Sequence, residues 1–567
     1  MSIQTIATRP FSDQRPGTSG LRKKVAVFMQ PYYLDNFVQA LLDVLNASGG
    51  PDVPRESGGS GGSGGEARAL AGQTLILGGD GRFFNRPAIQ TILKLAAANG
   101  LTRVVMGCGG ILSTPAASAV IRRRQAFGGI LLSASHNPGG ADGDFGIKYN
   151  MSNGGPATET LTEAIYARTQ VLNTLYCSDA QDVCIDKIGR LQVEHMQIEV
   201  IDPVGDYAAV MRSLFDFDLL SGLFASGFLV RVDAMNAVGG PYAKQILEGE
   251  IGAPLDSVVN FAPLEDFGGH HPDPNPANVD DLIYRMSSKG MGAPKLGAAL
   301  DGDADRNLVM GRNFLVTPSD SLALLTQYAR LIPAYQGGLA GVARSMPTST
   351  AVDRVAKALG IPCYETPTGW KFFGNLLDAG LVTLCGEESY GTGSSHLREK
   401  DGLWAILFWL SVIAVTGQSM ESLVRDHWKT YGRSYYSRHD YLDVPVEYVD
   451  TLMKDLHAKL PALAGQTFGR RTILVADDFA YTDPVDGSTS SHQGVRLVFD
   501  DASRLIFRVS GTSTEEATLR LYMERFEPDP ACHCEPVALA VAELSALAEH
   551  ISKVRVYTRR AGPTIAT

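Results

Sequence analysis

The sequence predicts an α/β protein that ends in a module of a different kind. Strand-like and helical runs alternate through most of the chain, the segments after about Tyr431 turn strand-rich, and a length of 567 residues accommodates about four domains. Alternation of this kind builds mostly parallel sheets covered by helices, with functional loops at the carboxyl ends of the strands.

In order, TLILGGD (74–80) reads as a strand, AIQTILKLAAANG (88–100) as a helix, VVMG (104–107) as a strand, STPAASAVIRRRQAFGG (113–129) as a helix and GILLS as the next strand. FLVRVDAMN (228–236), the helical GPYAKQILEGEIG and DDLIYRMSSKG, and KLGAALDGDADR (295–306) continue the rhythm, followed by LAGVARSM (339–346) and TSTAVDRVAKALG. The tail reads as strands at RSYYSRHDYLDV, RTILVADDFAYTD, VRLVFDDASRLIFRVSG and TLRLYMERF, then as a closing helix at PVALAVAELSALAEHISKV. The Gly/Ser-rich tract between Gly49 and Gly65, with SGGSGGSGG at its core (57–65), cannot bury a core and is expected to be a flexible loop.

Composition narrows the function classes. The chain is 44% hydrophobic and 20% charged, as a globular protein is. A net charge of −11 argues against nucleic acid, and an anionic small molecule would need a local group of Arg and Lys to overcome it. The seven cysteines show no CxxC pair and read as reduced thiols, and Cys532-His533-Cys534 lacks a second cluster at zinc-like spacing and reads as a surface loop. No signal peptide or transmembrane segment is expected, and the apolar run Leu403–Val415 reads as a helix buried on all sides. A cytoplasmic location follows as the expectation.

Three stretches carry chemistry. In DGDADR, Asp301, Asp303 and Asp305 alternate with small residues after a strand, so in an extended loop the three carboxylates converge. Three converged carboxylates repel one another unless a hard cation such as Mg²⁺ neutralises them. An EF-hand loop is excluded, because its Gly and Glu positions hold Arg306 and Arg312; an aspartyl nucleophile and a solvated acidic turn are the remaining rivals. In SASHNPGGADG, Ser135 sits on a tight turn after a strand, with His136 adjacent, Gly139, Gly140 and Gly143 permitting close backbone approach, and Lys148 near enough to hold a phosphate. FRVSGTSTEEATLRLY (507–522) ends a strand in Ser510-Gly511-Thr512 between Arg508 and Arg520, a set of hydroxyls, N–H groups and guanidinium forks suited to an anion. Two further loops are polar: GEESYGTGSSHLREKDG (386–402) gathers Glu387, Ser389, His396, Arg398 and Lys400, which suit sugar hydroxyls, and PGTSGLRKK (16–24) ends in Arg22.

Taken together, and in this order, the serine loop, the aspartate loop, the GEES loop and the RxSGT loop resemble eukaryotic phosphoglucomutases of the α-D-phosphohexomutase superfamily, from PGTSGLR to the closing GPTIAT. The resemblance implies three similar mixed-sheet α/β domains and a distinct α+β C-terminal domain around a central cleft. Combined with the rhythm above, it suggests domains at 1–205 (phosphoserine loop), 206–325 (metal loop), 326–430 (sugar loop) and 431–567 (phosphate loop).

It also implies roles. Ser135 would carry the transferable phosphoryl group and, with Asp301, Asp303 and Asp305, complete a Mg²⁺ site. Thr368, Gly369, Glu387 and Ser389 would read the sugar. Arg508, Ser510, Gly511, Thr512 and Arg520 would hold the phosphate that is not transferred. Arg22, His136, Lys148, Arg306 and Lys400 would line the reacting end, with Lys400 and His136 both open as the general acid/base. The implied reaction interconverts glucose 1-phosphate and glucose 6-phosphate through glucose 1,6-bisphosphate, with the C-terminal domain closing to exclude water. Hexose phosphates are the expected partners and a monomer the expected state. A parafusin- or aciculin-like scaffolding or exocytosis-linked role, with peripheral vesicle association and with or without mutase activity, is the alternative. The family usually has Thr where this chain has Ser133, and Gly where it has Ala304. Ser keeps the hydroxyl, whereas Ala304 is restricted if the loop needs φ > 0.

Overall fold

In the first sheet, the strand that precedes the serine loop lies at the edge of a parallel set. The computed structural model describes residues 2–17, 19–47, 70–287, 290, 292–510 and 516–567, so the Gly/Ser tract lies outside the described residues. Strands β1 (Thr74–Gly79), β2 (Arg103–Ile111) and β3 (Gly128–Leu132) run parallel with β1 in the middle, and β4 (Asp144–Asn150) returns antiparallel to β3. Leu21–Lys24 and the pair Met196–Ile201 and Gly189–Val193 extend this sheet to seven strands. All five residues of β3 are buried, which its unbroken GGILL sequence allows.

Helices cover the sheet. Three of them are α1 (Tyr33–Ala47), α2 (Asn85–Ala98) and α3 (Thr114–Arg124), and the first two bury leucine- and alanine-rich faces in the core. Helix α3 starts where the Ser113 side chain accepts the Ala116 N–H, with Pro115 in the first turn, and stops at Gln125 in the left-handed region.

The same parallel triplet recurs twice. In the second, β5 (Val230–Asp233) lies between β6 (Val258–Val259) and β7 (Leu296–Leu300), with β8 (Asn307–Gly311) antiparallel to β7. In the third, β9 (Val342–Ser345) lies between β10 (Cys363–Thr366) and β11 (Leu384–Gly386). The sheets are therefore mixed, and the mostly parallel expectation holds only for their centres. Each time, the chain leaves the carboxyl end of the third strand of the set, at 133, 301 and 387, and there it places the serine, aspartate and GEES loops. Three chemically distinct motifs thus occupy one topological position, where ligands bind in open α/β sheets.

Helix α4 (Gly402–Thr416) is capped at its start by Asp401, whose side chain accepts the Trp404 N–H, and at its end by left-handed Gly417. It is buried from Gly402 to Ile413, and only its last turn reaches solvent, so burial on all sides holds for most of the helix. No single helix among the described residues is long and apolar enough to cross a membrane.

The tail forms an antiparallel sheet in the order β13-β14-β15-β16-β12, from β12 (Arg433–Pro445), β13 (Arg471–Asp478), β14 (Val495–Phe499), β15 (Arg504–Ser510) and β16 (Glu516–Glu527). Helix α5 (Val446–Leu463) packs Val449, Leu452 and Leu456 into its core. The closing helix is broken into Val537–Ala540, α6 (Ala542–Ser552) and Val554–Thr558.

By packing, residues 1–316, 328–338 and 389–420 form one compact unit, and 317–327, 339–388 and 421–567 form another. The division falls inside the GEES loop, between Glu388 and Ser389. All seven cysteines are free.

Candidate active site

Unit one holds the serine and aspartate loops together. The chain turns sharply after β3: Ser133 Oγ accepts the Ser135 N–H at 2.7 Å, and Ser135 itself has φ +51°. A left-handed, non-glycine residue at a loop tip is uncommon and marks a constrained position. Two contacts over-determine it. The Ser135 carbonyl accepts from Arg82 Nη2 at 2.7 Å, and a Cβ on Gly302 would come within 2.3 Å of that same oxygen. The Ser135 hydroxyl points to the aspartates, donating to Asp301 Oδ2 at 2.8 Å, with His136 Nδ1 at 3.4 Å.

The aspartate loop is a turn, not the extended segment expected. The Ala304 N–H donates to the Asp301 carbonyl at 3.1 Å, the Arg306 N–H donates to Asp301 Oδ1 at 3.0 Å, and Ala304 takes φ +64°. The carboxylates converge because the chain wraps around them, not because alternate side chains share a face. Their ligand atoms all lie within 4.8 Å of one another, and all three residues are buried. One oxygen each of Asp303 and Asp305 is buried without a hydrogen-bond partner. Buried, partnerless carboxylate oxygens in an all-oxygen set fit a hard divalent cation.

Four cationic residues surround this cradle. Lys148, on β4, reaches Glu399 Oε1 at 3.2 Å and Asp303 Oδ2 at 4.0 Å. Lys400 lies 3.4 Å from Asp305, and Arg306 3.8 Å from Asp305 and 4.0 Å from Asp301. Arg22, on the Leu21–Lys24 strand opposite Gly146, is lowered by burial while Asp303 pulls it back up.

The carboxyls respond in opposite directions. Burial, then Asp305 and Asp303, holds Asp301 well above the usual carboxylate range. Burial pushes Asp303 the same way, but Lys148, the Thr114 hydroxyl, Arg22 and Lys400 outweigh it and bring Asp303 down to about 2. Burial, together with Arg306, Arg22, Lys400 and His271, drives His136 well below the ordinary imidazole value, so its ring is neutral.

Unit two holds most of the remaining candidates. Gly369, at φ +133°, donates its N–H to Glu387 Oε1 at 3.0 Å, and the neighbouring Thr368 Oγ1 is buried without a partner. Arg508 on β15 stands opposite Arg520 on β16, with Ser510 two residues on, opposite Thr518. Arg508 Nε donates to the Gln493 carbonyl at 3.2 Å, and its stem lies on Gly494, where a Cβ would come within 2.6 Å of it. Arg520 has Asp440 only at 3.9 Å. Like charges facing each other across a ladder are unfavourable unless an anion joins them. Gly511 and Thr512 lie outside the described residues.

Ser389 is half-buried in unit one, so the polar loop is not one cluster. Its other two polar candidates are engaged within the protein. His396 is bonded between Ser394 and Asp401, and Arg398 donates to the Ser395 and Leu397 carbonyls at 2.9 Å.

Sequence reading missed Asp80, Arg82, Thr114 and Glu399. Arg82 is 1% exposed, is held by Asp80 at 2.9 Å, and donates to carbonyls of Ser135, Asn137 and Asp144, so it clamps the serine loop. The charged pair in GGDGR, just past β1, was its signal. Thr114 donates to Asp303 Oδ2 at 2.7 Å, and Glu399 accepts from Lys148 and from Asn150 Nδ2.

The geometry agrees with comparisons to known proteins. Family models described as phosphoglucomutase/phosphomannomutase alpha/beta/alpha domains I, II and III match residues 63–174, 207–313 and 317–431, and a phosphoglucomutase-1 C-terminal domain matches 433–564. A phosphoglucomutase from Rhizobium radiobacter is 54% identical over the full length of both chains, and phosphoglucomutase-1 from Homo sapiens is 46% identical, again covering both in full. The open-form crystal structure of parafusin, an exocytosis-sensitive phosphoprotein and phosphoglucomutase from Paramecium, superposes with a TM-score of 0.89 at 44% identity, covering 100% of this chain and 99% of that one. Repeated α/β units followed by an antiparallel module, each matched in chain order, define a phosphoglucomutase/phosphomannomutase fold. The chain belongs to the phosphoglucomutase/phosphomannomutase family.

Proposed function

We propose that the chain is a phosphoglucomutase that interconverts glucose 1-phosphate and glucose 6-phosphate through a phosphoserine at Ser135 and a glucose 1,6-bisphosphate intermediate. The observation that carries this reading is the Ser135 hydroxyl, 2.8 Å from Asp301, on a strained turn inside a ring of cations. Mg²⁺ held by Asp301, Asp303, Asp305 and a phosphoserine oxygen would supply charge neutralisation to the transferring phosphoryl group.

In the forward direction, the phosphorus–oxygen bond to Ser135 breaks as the sugar 6-hydroxyl oxygen bonds to phosphorus. That hydroxyl's proton must leave. His136 is a poor acceptor, because burial and the neighbouring Arg306 and Arg22 disfavour its charged form. Lys400, beside Asp305, is left as the general base, and to take the proton it must first give up its own. The bisphosphate then turns around, the Ser135 oxygen bonds to its other phosphorus as the bond from that phosphorus to the sugar O1 breaks, and Lys400 gives the proton to O1. Arg22, Lys148 and Arg306 hold the transferring phosphoryl oxygens. Thr368, Gly369, Glu387 and Ser389 read sugar hydroxyls, and Arg508, Ser510, Gly511, Thr512 and Arg520 grip the phosphate that stays. Arg82 keeps the Ser135 backbone in place, so little reorganisation is needed at the moment of transfer.

The same proposal divides the chain into domains at 1–205, 206–325, 326–430 and 431–567 and takes the protein as a cytoplasmic monomer acting on hexose phosphates. The deciding experiment is incubation with glucose 1,6-bisphosphate followed by intact-mass and peptide analysis, together with a coupled assay on glucose 1-phosphate. One phosphoryl group on Ser135, and complete loss of turnover in Ser135→Ala, are expected. A phosphoryl group on another residue, or a Ser135→Ala variant that still turns over, would refute the assignment.

A further inference from the structure

The segment 394–401 delivers two groups to the reacting end: Glu399, which holds Lys148 at 3.2 Å, and Lys400, 3.4 Å from Asp305. Neither residue lies in a helix or strand that would fix it. Behind them runs a chain of buried hydrogen bonds, all within unit one. Trp404 Nε1 donates to the Tyr335 hydroxyl at 3.0 Å, that hydroxyl is 2.6 Å from Ser394 Oγ, and Ser394 Oγ is 2.6 Å from His396 Nδ1. His396 Nε2 is 3.0 Å from Asp401 Oδ2, and Asp401 Oδ1 accepts from the Tyr207 hydroxyl at 2.6 Å and from the Trp404 N–H at 3.0 Å. The His396 and Asp401 side chains are only 2% and 0% exposed, and the imidazole stacks on the Trp404 indole, with centroids 5.4 Å apart.

Donor arithmetic allows the chain to run in one direction from end to end. Indole N–H is a donor only and an ionised carboxylate an acceptor only. His396 Nε2 therefore carries the proton toward Asp401, leaving Nδ1 to accept from Ser394. Ser394 then accepts from Tyr335, and Tyr335 from Trp404. Every member is satisfied by this assignment. A fully satisfied buried network rigidifies what it joins.

We propose that His396 is a positioning residue of the reaction: the directed relay Trp404–Tyr335–Ser394–His396–Asp401 locks both ends of the 394–401 segment, and so places Glu399 and Lys400 at Lys148 and Asp305. His396 acts through those two residues and has no contact with the sugar. This rests on the proposed mutase reading.

The test uses the full-length chain with Mg²⁺ and compares His396→Phe, Tyr335→Phe and His396→Gln. Phe at 396 keeps the stacking on Trp404 and removes both hydrogen bonds. Displacing a catalytic group by about 1 Å costs up to roughly a hundredfold in rate. His396→Phe should therefore lower kcat by tenfold or more (on the order of that displacement effect) with KM within about twofold. Tyr335→Phe, which deletes one remote hydroxyl and is the fold-sparing variant, should lower kcat in the same direction by about twofold to fivefold. His396→Gln, whose amide N–H can still donate to Asp401, should recover part of the loss. A merely structural role would lower the active fraction and melting temperature but leave kcat per active site, titrated by phosphoryl uptake on Ser135, unchanged. Unchanged kcat per active site in Tyr335→Phe, or in a folded His396→Phe, would overturn the relay alone. A wild-type chain without mutase turnover would overturn the mutase reading and the relay with it.

Discussion

The cluster around Asp303 in unit one and the cluster around Arg504 in unit two are built of the same materials. Both mix carboxylates with cations, and Arg344, Arg504 and Glu524 are buried as the three aspartates are. Around Arg504, the side chains of Arg344, Asp353, Glu365, Arg504 and Glu524 all find partners, although the neighbouring Arg354 Nε does not. Arg504 donates to Glu524 Oε2 at 2.8 Å and to the Thr348 carbonyl at 2.6 Å. Arg344 forks onto Asp353 at 2.5 and 2.8 Å and reaches Glu365 at 2.8 Å, and Glu524 also takes the Thr350 and Ser434 hydroxyls at 2.8 Å. None of Arg344, Asp353, Glu365, Arg504 or Glu524 leaves a buried side-chain atom unpartnered, whereas Asp303 and Asp305 each leave one. Buried charge is thus no mark of a site by itself. Satisfaction separates the two: a closed network holds structure together, and an open one is completed by something the chain does not supply.

The titrations carry the same contrast. Burial opposes ionisation of Glu524, Glu365 and Asp353, but their arginines overcome it and lower all three. Their stabilisation is therefore present above the ordinary carboxylate range and is lost as pH falls through the folded values. Asp301 is raised, so without a cation it favours the folded state less as pH rises from the ordinary Asp range toward its folded value.

The largest effect that could break this comparison lies at the open cluster. Asp303→Asn keeps an oxygen but loses charge, and should lower kcat/KM on the order of a hundredfold. Mg²⁺ should raise the melting temperature of the wild type more at about pH 7 than at about pH 5, where protons compete, and Asp303→Asn should lose most of that gain. Full activity of the wild type in EDTA, or a Mg²⁺ gain independent of pH, would mean that the open cluster is not a cation site.

The closed cluster should fail differently. Arg504→Met leaves Glu524 buried without its main partner, and should destabilise unit two by about 3–5 kcal/mol in denaturant melts. A loss below about 1 kcal/mol would show that the network contributes little beyond a surface pair.

Arg508 sharpens the contrast within unit two, because it makes no ion pair closer than 4.0 Å among those found for the described residues. Charge-assisted hydrogen bonds contribute roughly 1.5–3 kcal/mol, so Arg508→Ala should lower kcat/KM for glucose 1-phosphate about ten- to a hundredfold while leaving the melting profile near that of the wild type. Steady-state kinetics within twofold of wild type would place Arg508 outside the substrate's reach. The smallest effect is at Ala304, held at φ +64° where glycine is at ease. Ala304→Gly should stabilise by at most about 1 kcal/mol through relief of that strain, measured by equilibrium unfolding.

The alternation of strands and helices, the change of architecture after Tyr431 and the motifs at strand ends were legible in the amino-acid order alone. Periodicity and glycine placement are local properties, and a strand that ends in DGDADR or SASHNPGG announces its loop without help from the rest of the chain. Local order also named Ser135, the three aspartates and the paired arginines. It could not say which polar residues of 386–402 act and which are already spoken for, because that depends on partners far away in sequence. His396 and Arg398 look as functional as Lys400 in the sequence, yet Asp401 and backbone carbonyls occupy them, while Lys400 faces Asp305. Arg82 is the converse case, unremarkable in GGDGR until the fold brings it under the serine loop across 53 residues of chain. The turn at Ala304 was likewise not legible in the sequence, nor was the serine-loop backbone lying so close to Gly302 that no side chain fits there. What tertiary structure adds is the partner of each polar group, and in a buried site the partner decides whether a charge holds the protein together or is left to do chemistry.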